Sequence, residues 1–365
     1  MSKGGPEDQP VKRTLFLELV DGVLVPPKSF RREVVRDALK YEARPGDIFL
    51  ATYPKTGATW TQYTLWCLLS LKHGKGEEEN THEVPSFADI MTKCAPFLEL
   101  VGRKVVEDLA EPRIIKHHLT FTASPYHPDA KYVVIVRNPF DSAVSFYHHC
   151  MGDRINLGMR ADTTFDEFFE DYMDGHVPFG HYFEHILSWY AHRNDPNVFF
   201  FYYENFKRDP ERTVLALAKF VDQTVWAMLR ADRRLLDQVL QRISFSNLKS
   251  SVSIVGDVHH VMHDSKPNAA ENCKNAPGDQ GAGTADDTSN DSRCGNANSD
   301  VTRDSAADGK DSGESLVSLS NFFRKGQVGD WRNLFKPEQE RRLRDMYERR
   351  MRGTEMWDVW KEYLY

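Results

Sequence analysis

The chain has 365 residues, of which 40% are hydrophobic and 12% aromatic, enough apolar material for a sizeable core. Its formal net charge of −7 gives no support to a general nucleic-acid binder, which needs excess positive charge, though it leaves room for local anion sites. No apolar run approaches the ~18 residues of a membrane span, so a membrane protein is not expected.

In chain order, Met1 to Lys12 is polar, lacks the apolar core of a signal peptide and is expected to be a flexible N-terminus. Asp47 to Tyr53 reads as a buried strand, and Thr59 to Lys72 as the helix after it. Arg113 to Lys116, Lys131 to Arg137 and Asn197 to Tyr203 are further short, nearly continuous apolar strands. Helical patterns cover Asp141 to Cys150, Thr164 to Met173, Gly180 to His192 and Pro210 to Val221, and Glu338 to Tyr363 reads as one or two helices. Such strands separated by helices predict an α/β fold, a single domain with a mostly parallel central sheet flanked by helices. Asp264 to Ser315 breaks the composition: Val301 is its only large apolar residue, and 11 acidic residues stand against 5 basic ones. It cannot bury enough apolar area to offset its ordering entropy, so it reads as a disordered insert in a domain formed by 13–263 and 316–365. The five cysteines (Cys67, Cys94, Cys150, Cys273 and Cys294) include no CxxC pair. That favours reduced thiols in a cytoplasmic protein over disulfides or a zinc site.

Four motifs carry chemistry. Tyr53-Pro54-Lys55-Thr56-Gly57-Ala58-Thr59-Trp60 lies at a strand-to-helix junction. Free N–H groups at a helix start attract anions, Gly57 allows close backbone approach, Lys55 adds a charge, and Thr56 and Thr59 add hydroxyls. The lysine precedes the glycine, so this is not a Walker motif, and a nucleotide kinase is disfavoured. Lys116-His117-His118 ends a short strand and offers imidazole as a base for a hydroxyl. Arg137 ends another buried strand, where its charge needs a partner: either a phosphate or a local carboxylate such as Asp141. Arg324-Lys325-Gly326 suits a loop folding over an anion, and equally an ordinary surface loop.

Together with Ala43-Arg44-Pro45-Gly46-Asp47, these motifs resemble the cytosolic sulfotransferase family over nearly all of Lys12 to Tyr365 outside the insert. The resemblance implies a P-loop-like loop, Lys55, Thr56, Gly57, Ala58, Thr59 and Trp60, holding the 5'-phosphosulfate of 3'-phosphoadenosine 5'-phosphosulfate. It implies that Arg137, Ser145, Arg324, Lys325 and Gly326 hold the 3'-phosphate. Tyr203, Ser244 and Phe245 match nucleotide contacts, with Trp60 and Phe245 sandwiching the adenine. His118 matches the catalytic base, and Lys116 the lysine two before it. The product would be 3'-phosphoadenosine 5'-phosphate, with no metal. The acceptor would be a small hydroxyl compound, a phenol or phenolic amine, with Phe146, His149 and Asp153 beside it. Ala58 stands where the family has a hydroxyl, and His117 where it has Thr. The family's homodimer motif is degraded at Lys336-Pro337 and Arg341, which leaves a homodimer open.

Overall fold

The chain enters through a hairpin of β1 (Glu18–Val20) and β2 (Val23–Val25). Asp21 and Gly22 make its turn at φ 47° and 90°, the left-handed pair that a two-residue hairpin loop requires. The computed structural model describes residues 12–72, 85–253 and 324–364. The expected insert and all but the last residue of the expected N-terminal segment lie outside the described residues.

After α1 (Arg32–Ala38) comes the central sheet of β3 (Asp47–Thr52), β4 (Arg113–His117), β5 (Lys131–Val136) and β6 (Val198–Tyr202). All neighbours pair in parallel, in the order β4-β3-β5-β6. Every residue of β3 and β4 is buried, which is why both read as unbroken apolar runs rather than alternating ones. Phe49 and Tyr132, register partners on β3 and β5, stack with centroids 5.1 Å apart. One buried ion pair joins the register partners of β3 and β4: Arg113 Nε donates to Asp47 Oδ1 at 2.6 Å.

Helices fill the crossovers. α2 (Ala58–Ser70) leaves β3, and the short α3 (Phe87–Asp89), α4 (Leu98–Val101) and α5 (Arg103–Glu107) lead to β4. Between β5 and β6 lie α6 (Pro139–Gly152), α7 (Arg154–Leu157), α8 (Phe165–Asp174) and α9 (Tyr182–Tyr190). After β6 come α10 (Tyr203–Arg208), α11 (Pro210–Val221), α12 (Gln223–Ala231), α13 (Arg233–Arg242) and α14 (Phe245–Ser253). The chain ends in α15 (Pro337–Met351) and α16 (Glu355–Leu364).

The predicted strands and main helices are all present. α6 begins two residues before its expected start because Asn138 caps it and Pro139 occupies the first turn. The C-terminal run divides in two at Gly353, where φ is 84°. From β3 the chain passes to β4 on one side and to β5 on the other. That reversal opens a crevice at the C-terminal ends of β3 and β5, where open α/β sheets bind ligands. None of the helices among the described residues is long and apolar enough to cross a membrane.

Candidate active site

The loop from β3 into α2 is shaped by one glycine. Gly57 sits at φ 117°, and a Cβ there would lie 2.8 Å from Ile135 Cδ1 and 3.0 Å from Tyr203 Cδ2. No larger residue fits, so the backbone lies directly against β5 and α10. Lys55 also takes a left-handed conformation, φ 67°, which costs a non-glycine residue about 1–2 kcal/mol. Burial, joined by the nearby Arg137 and Arg324 charges, lowers the Lys55 ammonium to about 7. A group so disfavoured as a cation gains most from an incoming anion. Thr56 does not offer its hydroxyl as expected. Its Oγ1 lies 2.9 Å from the Tyr53 carbonyl and 3.1 Å from that of Ile135, so its single proton is shared between the loop's own backbone and β5. Ala58 and Thr59 are buried at the helix start.

Arg137 stands across the crevice and is only 8% exposed. Its Nη1 donates to the Lys55 carbonyl at 3.4 Å, its Nη2 donates to the Gln327 carbonyl at 3.1 Å, and its guanidinium lies 4.4 Å from the Tyr203 ring centroid. The alternative of a local carboxylate partner is weak, since Asp141 Oδ2 is 4.0 Å away. Asp141 instead accepts from the side-chain amide Nδ2 of Asn138 and from the backbone amides of Gly329 and Trp331. Arg137 Nε is buried with no hydrogen-bond partner among the described residues. An always-charged donor left unmatched fits an anion, and the Gly57 cradle beside it fits a phosphate approaching the backbone. Ser145 is half-buried two turns along α6.

The 324–330 loop closes onto this corner. Arg324 and Lys325 both pair with Asp330, Lys325 at 2.7 Å, and Asp330 is held down at about 2 even against its own burial. The cations expected at a phosphate are therefore gathered by one carboxylate. Gly326 touches a second expected site residue: a Cβ there would come within 2.5 Å of the Phe245 ring. Trp60 stacks on Phe206 with centroids 3.8 Å apart and donates from Nε1 to the Ile243 carbonyl. Ser244 Oγ accepts from the Asn247 amide at 3.3 Å, which caps α14.

On the other side of β3, His118 Nδ1 lies 2.6 Å from the Thr52 carbonyl and 2.9 Å from Thr52 Oγ1. A carbonyl cannot donate, so Nδ1 carries the proton and Nε2 the lone pair. Burial, reinforced by the Lys116 charge, holds His118 well below the ordinary histidine range. Its ring packs edge-on against Phe97 and Phe179. Lys116 is buried with Nζ 3.6 Å from the Phe97 centroid. His117 points elsewhere: Nδ1 accepts from the Leu119 amide and Nε2 meets Ser124 Oγ, a structural role.

Sequence reasoning missed Glu99. It is fully buried, and its Oε1 accepts from the His118 amide at 2.7 Å. Burial pushes the Glu99 carboxyl up and the Lys116 ammonium down, while each charge steadies the other. The signal was an acid inside the apolar run Pro96-Phe97-Leu98-Glu99. Glu204 was missed too: it takes the Asn138 amide and side chain at 2.9 and 2.8 Å, and Trp360 Nε1 at 3.0 Å.

On the acceptor side, His149 is half-buried one turn beyond Ser145. Burial and then the Lys55 and Lys116 charges push it well below its ordinary value, which places it near both lysines. Asp153 is half-buried at the end of α6 and accepts from Asn156 Nδ2 at 2.6 Å. Phe146 corrects an expectation. It is 1% exposed and packs between Tyr53 and Phe168, because it falls on the core-facing stripe of α6 with Ala143 and Cys150.

The sulfotransferase domain model matches residues 45–259 and 291–355, well over half of the chain. The chain belongs to the sulfotransferase family. This sulfotransferase is 26% identical to human sulfotransferase 1C2 over 351 residues, 94% of this chain and 95% of that protein. It is 31% identical to the rabbit (Oryctolagus cuniculus) amine sulfotransferase over 213 residues, 57% of this chain and 65% of that protein. Its fold matches the mouse sulfotransferase SULT7A1 solved with PAP, with a TM-score of 0.62 and 24% identity, covering 95% of this chain and 98% of that one. Among the described residues no cluster of His, Cys, Asp or Glu is placed to hold a metal ion.

Proposed function

We propose that this sulfotransferase moves a sulfuryl group from 3'-phosphoadenosine 5'-phosphosulfate to the hydroxyl of a small acceptor, a phenol or phenolic amine, in the cytoplasm. One observation carries the donor half: Arg137 Nη1 is 3.4 Å from the Lys55 carbonyl, which supports reading the two expected phosphate grips as one site. The PAP bound to the mouse structure and the name of the rabbit amine sulfotransferase support the reading.

The donor supplies the sulfuryl group and, as leaving group, an adenosine bisphosphate. The protein supplies position and charge. His118 Nε2 takes the acceptor's hydroxyl proton as the new O–S bond forms and the S–O bond to phosphate breaks. The Nδ1–H to Thr52 contact fixes the tautomer for that task, and the Glu99 contact fixes the backbone beneath it. Lys55, with Lys116 behind it, meets the charge growing on the departing phosphate oxygen. Gly57, Thr59 and Trp60 hold the 5' end, Arg137 and Ser145 with Arg324, Lys325 and Gly326 the 3'-phosphate, and Tyr203, Ser244 and Phe245 the nucleoside. His149 lines the acceptor side.

Asp153 selects an aminated acceptor by charge. Transfer of labelled sulfuryl to an aminated phenol and to its neutral analogue, by wild type and Asp153→Ala, tests this. The variant is expected to lose about tenfold, the scale of a hydrogen bond to a charged group, on the amine alone. Equal losses on both compounds would discard the amine reading.

A further inference from the structure

Aromatic faces hold a base but do not identify it, because every nucleobase has a π-face. Trp60 and Phe245 therefore explain stacking and leave the choice of base unexplained. Three other polar groups near those rings are committed: Trp60 Nε1 donates to the Ile243 carbonyl, Asn247 Nδ2 donates to the Arg242 carbonyl, and Ser244 Oγ caps α14.

Lys207 is different. It lies one helical turn beyond Tyr203 on α10, on the same face. Its Nζ is 5.9 Å from the Trp60 ring centroid and 5.3 Å from that of Phe245. One face of Trp60 is covered by the parallel ring of Phe206, so a base stacks on the other. Lys207 is half-buried, and among the described residues it has no carboxylate or carbonyl partner. Burial, and then the Arg137 charge, lower its pKa. The ammonium has three donors, and none of them is bonded to an acceptor among the described residues.

We propose that Lys207 reads the donor's base by donating from Nζ to a ring nitrogen of adenine. Adenine offers acceptors at N1, N3 and N7, and carries no hydrogen on any of them. A purine protonated at the nitrogen facing Lys207 would meet a donor with a donor and be rejected. The inference rests on the donor reading above and adds base selection to it.

The test measures dissociation constants of 3'-phosphoadenosine 5'-phosphate and of its 1-deaza, 3-deaza and 7-deaza analogues, for wild type and Lys207→Met. Methionine keeps the unbranched apolar stem over the rings. Wild type is expected to bind one of the three analogues about tenfold more weakly than the parent, the scale of a hydrogen bond to a charged group. Lys207→Met is expected to bind the parent that much more weakly and to bind that analogue as it binds the parent. A variant that weakens all four ligands equally would show that Lys207 only attracts negative charge, overturning the proposal. Identical ratios in both proteins would overturn it as well, with the donor reading intact. Absence of parent binding by wild type would remove the donor reading itself, and this one with it.

Discussion

At the residue scale the proposed chemistry depends on a neutral imidazole. His118 carries its proton on Nδ1 because Thr52 presents a carbonyl there, and burial keeps the ring unprotonated near neutral pH. A base in that state needs no activation, so the acid limb of kcat/KM should lie below the usual histidine range. Replacing His118 by Ala should lower turnover by ~10²–10⁴-fold, the usual contribution of a positioned base, with binding of 3'-phosphoadenosine 5'-phosphate retained. Steady-state kinetics within threefold of wild type would remove His118 from the role. The strand end offered two adjacent imidazoles, His117 and His118, and only the family resemblance singled out His118. Glu99 was not legible, because a single acid in an apolar run looks the same whether it is buried against a backbone amide or exposed.

At the element scale the strands were legible because a sheet covered on both faces demands continuous apolar runs. The first hairpin went unread although Asp21-Gly22 is a strong turn signal, since three-residue strands give no alternation to count. Phe146 was misplaced for a related reason. Its position in α6 was clear, but which face of α6 meets the core depends on tertiary packing. The elements are also joined in ways that spacing does not show. α16 reaches the corner beside Arg137 through Trp360 Nε1, Glu204 and Asn138, the residue after Arg137. Trp360→Phe leaves a buried carboxylate oxygen without its donor and should cost about 1–3 kcal/mol, read as a lower denaturant midpoint with unchanged slope. An unchanged midpoint would show that the contact is incidental.

At the scale of the whole molecule, four loops from four parallel strands meet at one sheet edge. Lys55 follows β3, His118 follows β4, Arg137 follows β5 and Tyr203 follows β6. Their spacing of tens of residues says nothing about contact. The parallel topology brings them together, and the strand order β4-β3-β5 sets Lys55 between His118 and Arg137. The sequence motifs named these residues one by one, but only the register shows that they stand along one sheet edge. Composition, by contrast, says little about how the 324–330 loop gathers its cations, because Asp330 looks like any surface acid until it is found buried between them.

The central claim is that Lys55 and Arg137 grip two phosphates of one nucleotide. Calorimetric titration of wild type and Arg137→Lys with 3'-phosphoadenosine 5'-phosphate and with adenosine 5'-phosphate tests it directly. Wild type should bind the bisphosphate more tightly, and the variant should weaken the bisphosphate by about tenfold or more while leaving the monophosphate unchanged. Equal weakening of both ligands, or a wild type that does not distinguish them, would contradict the account.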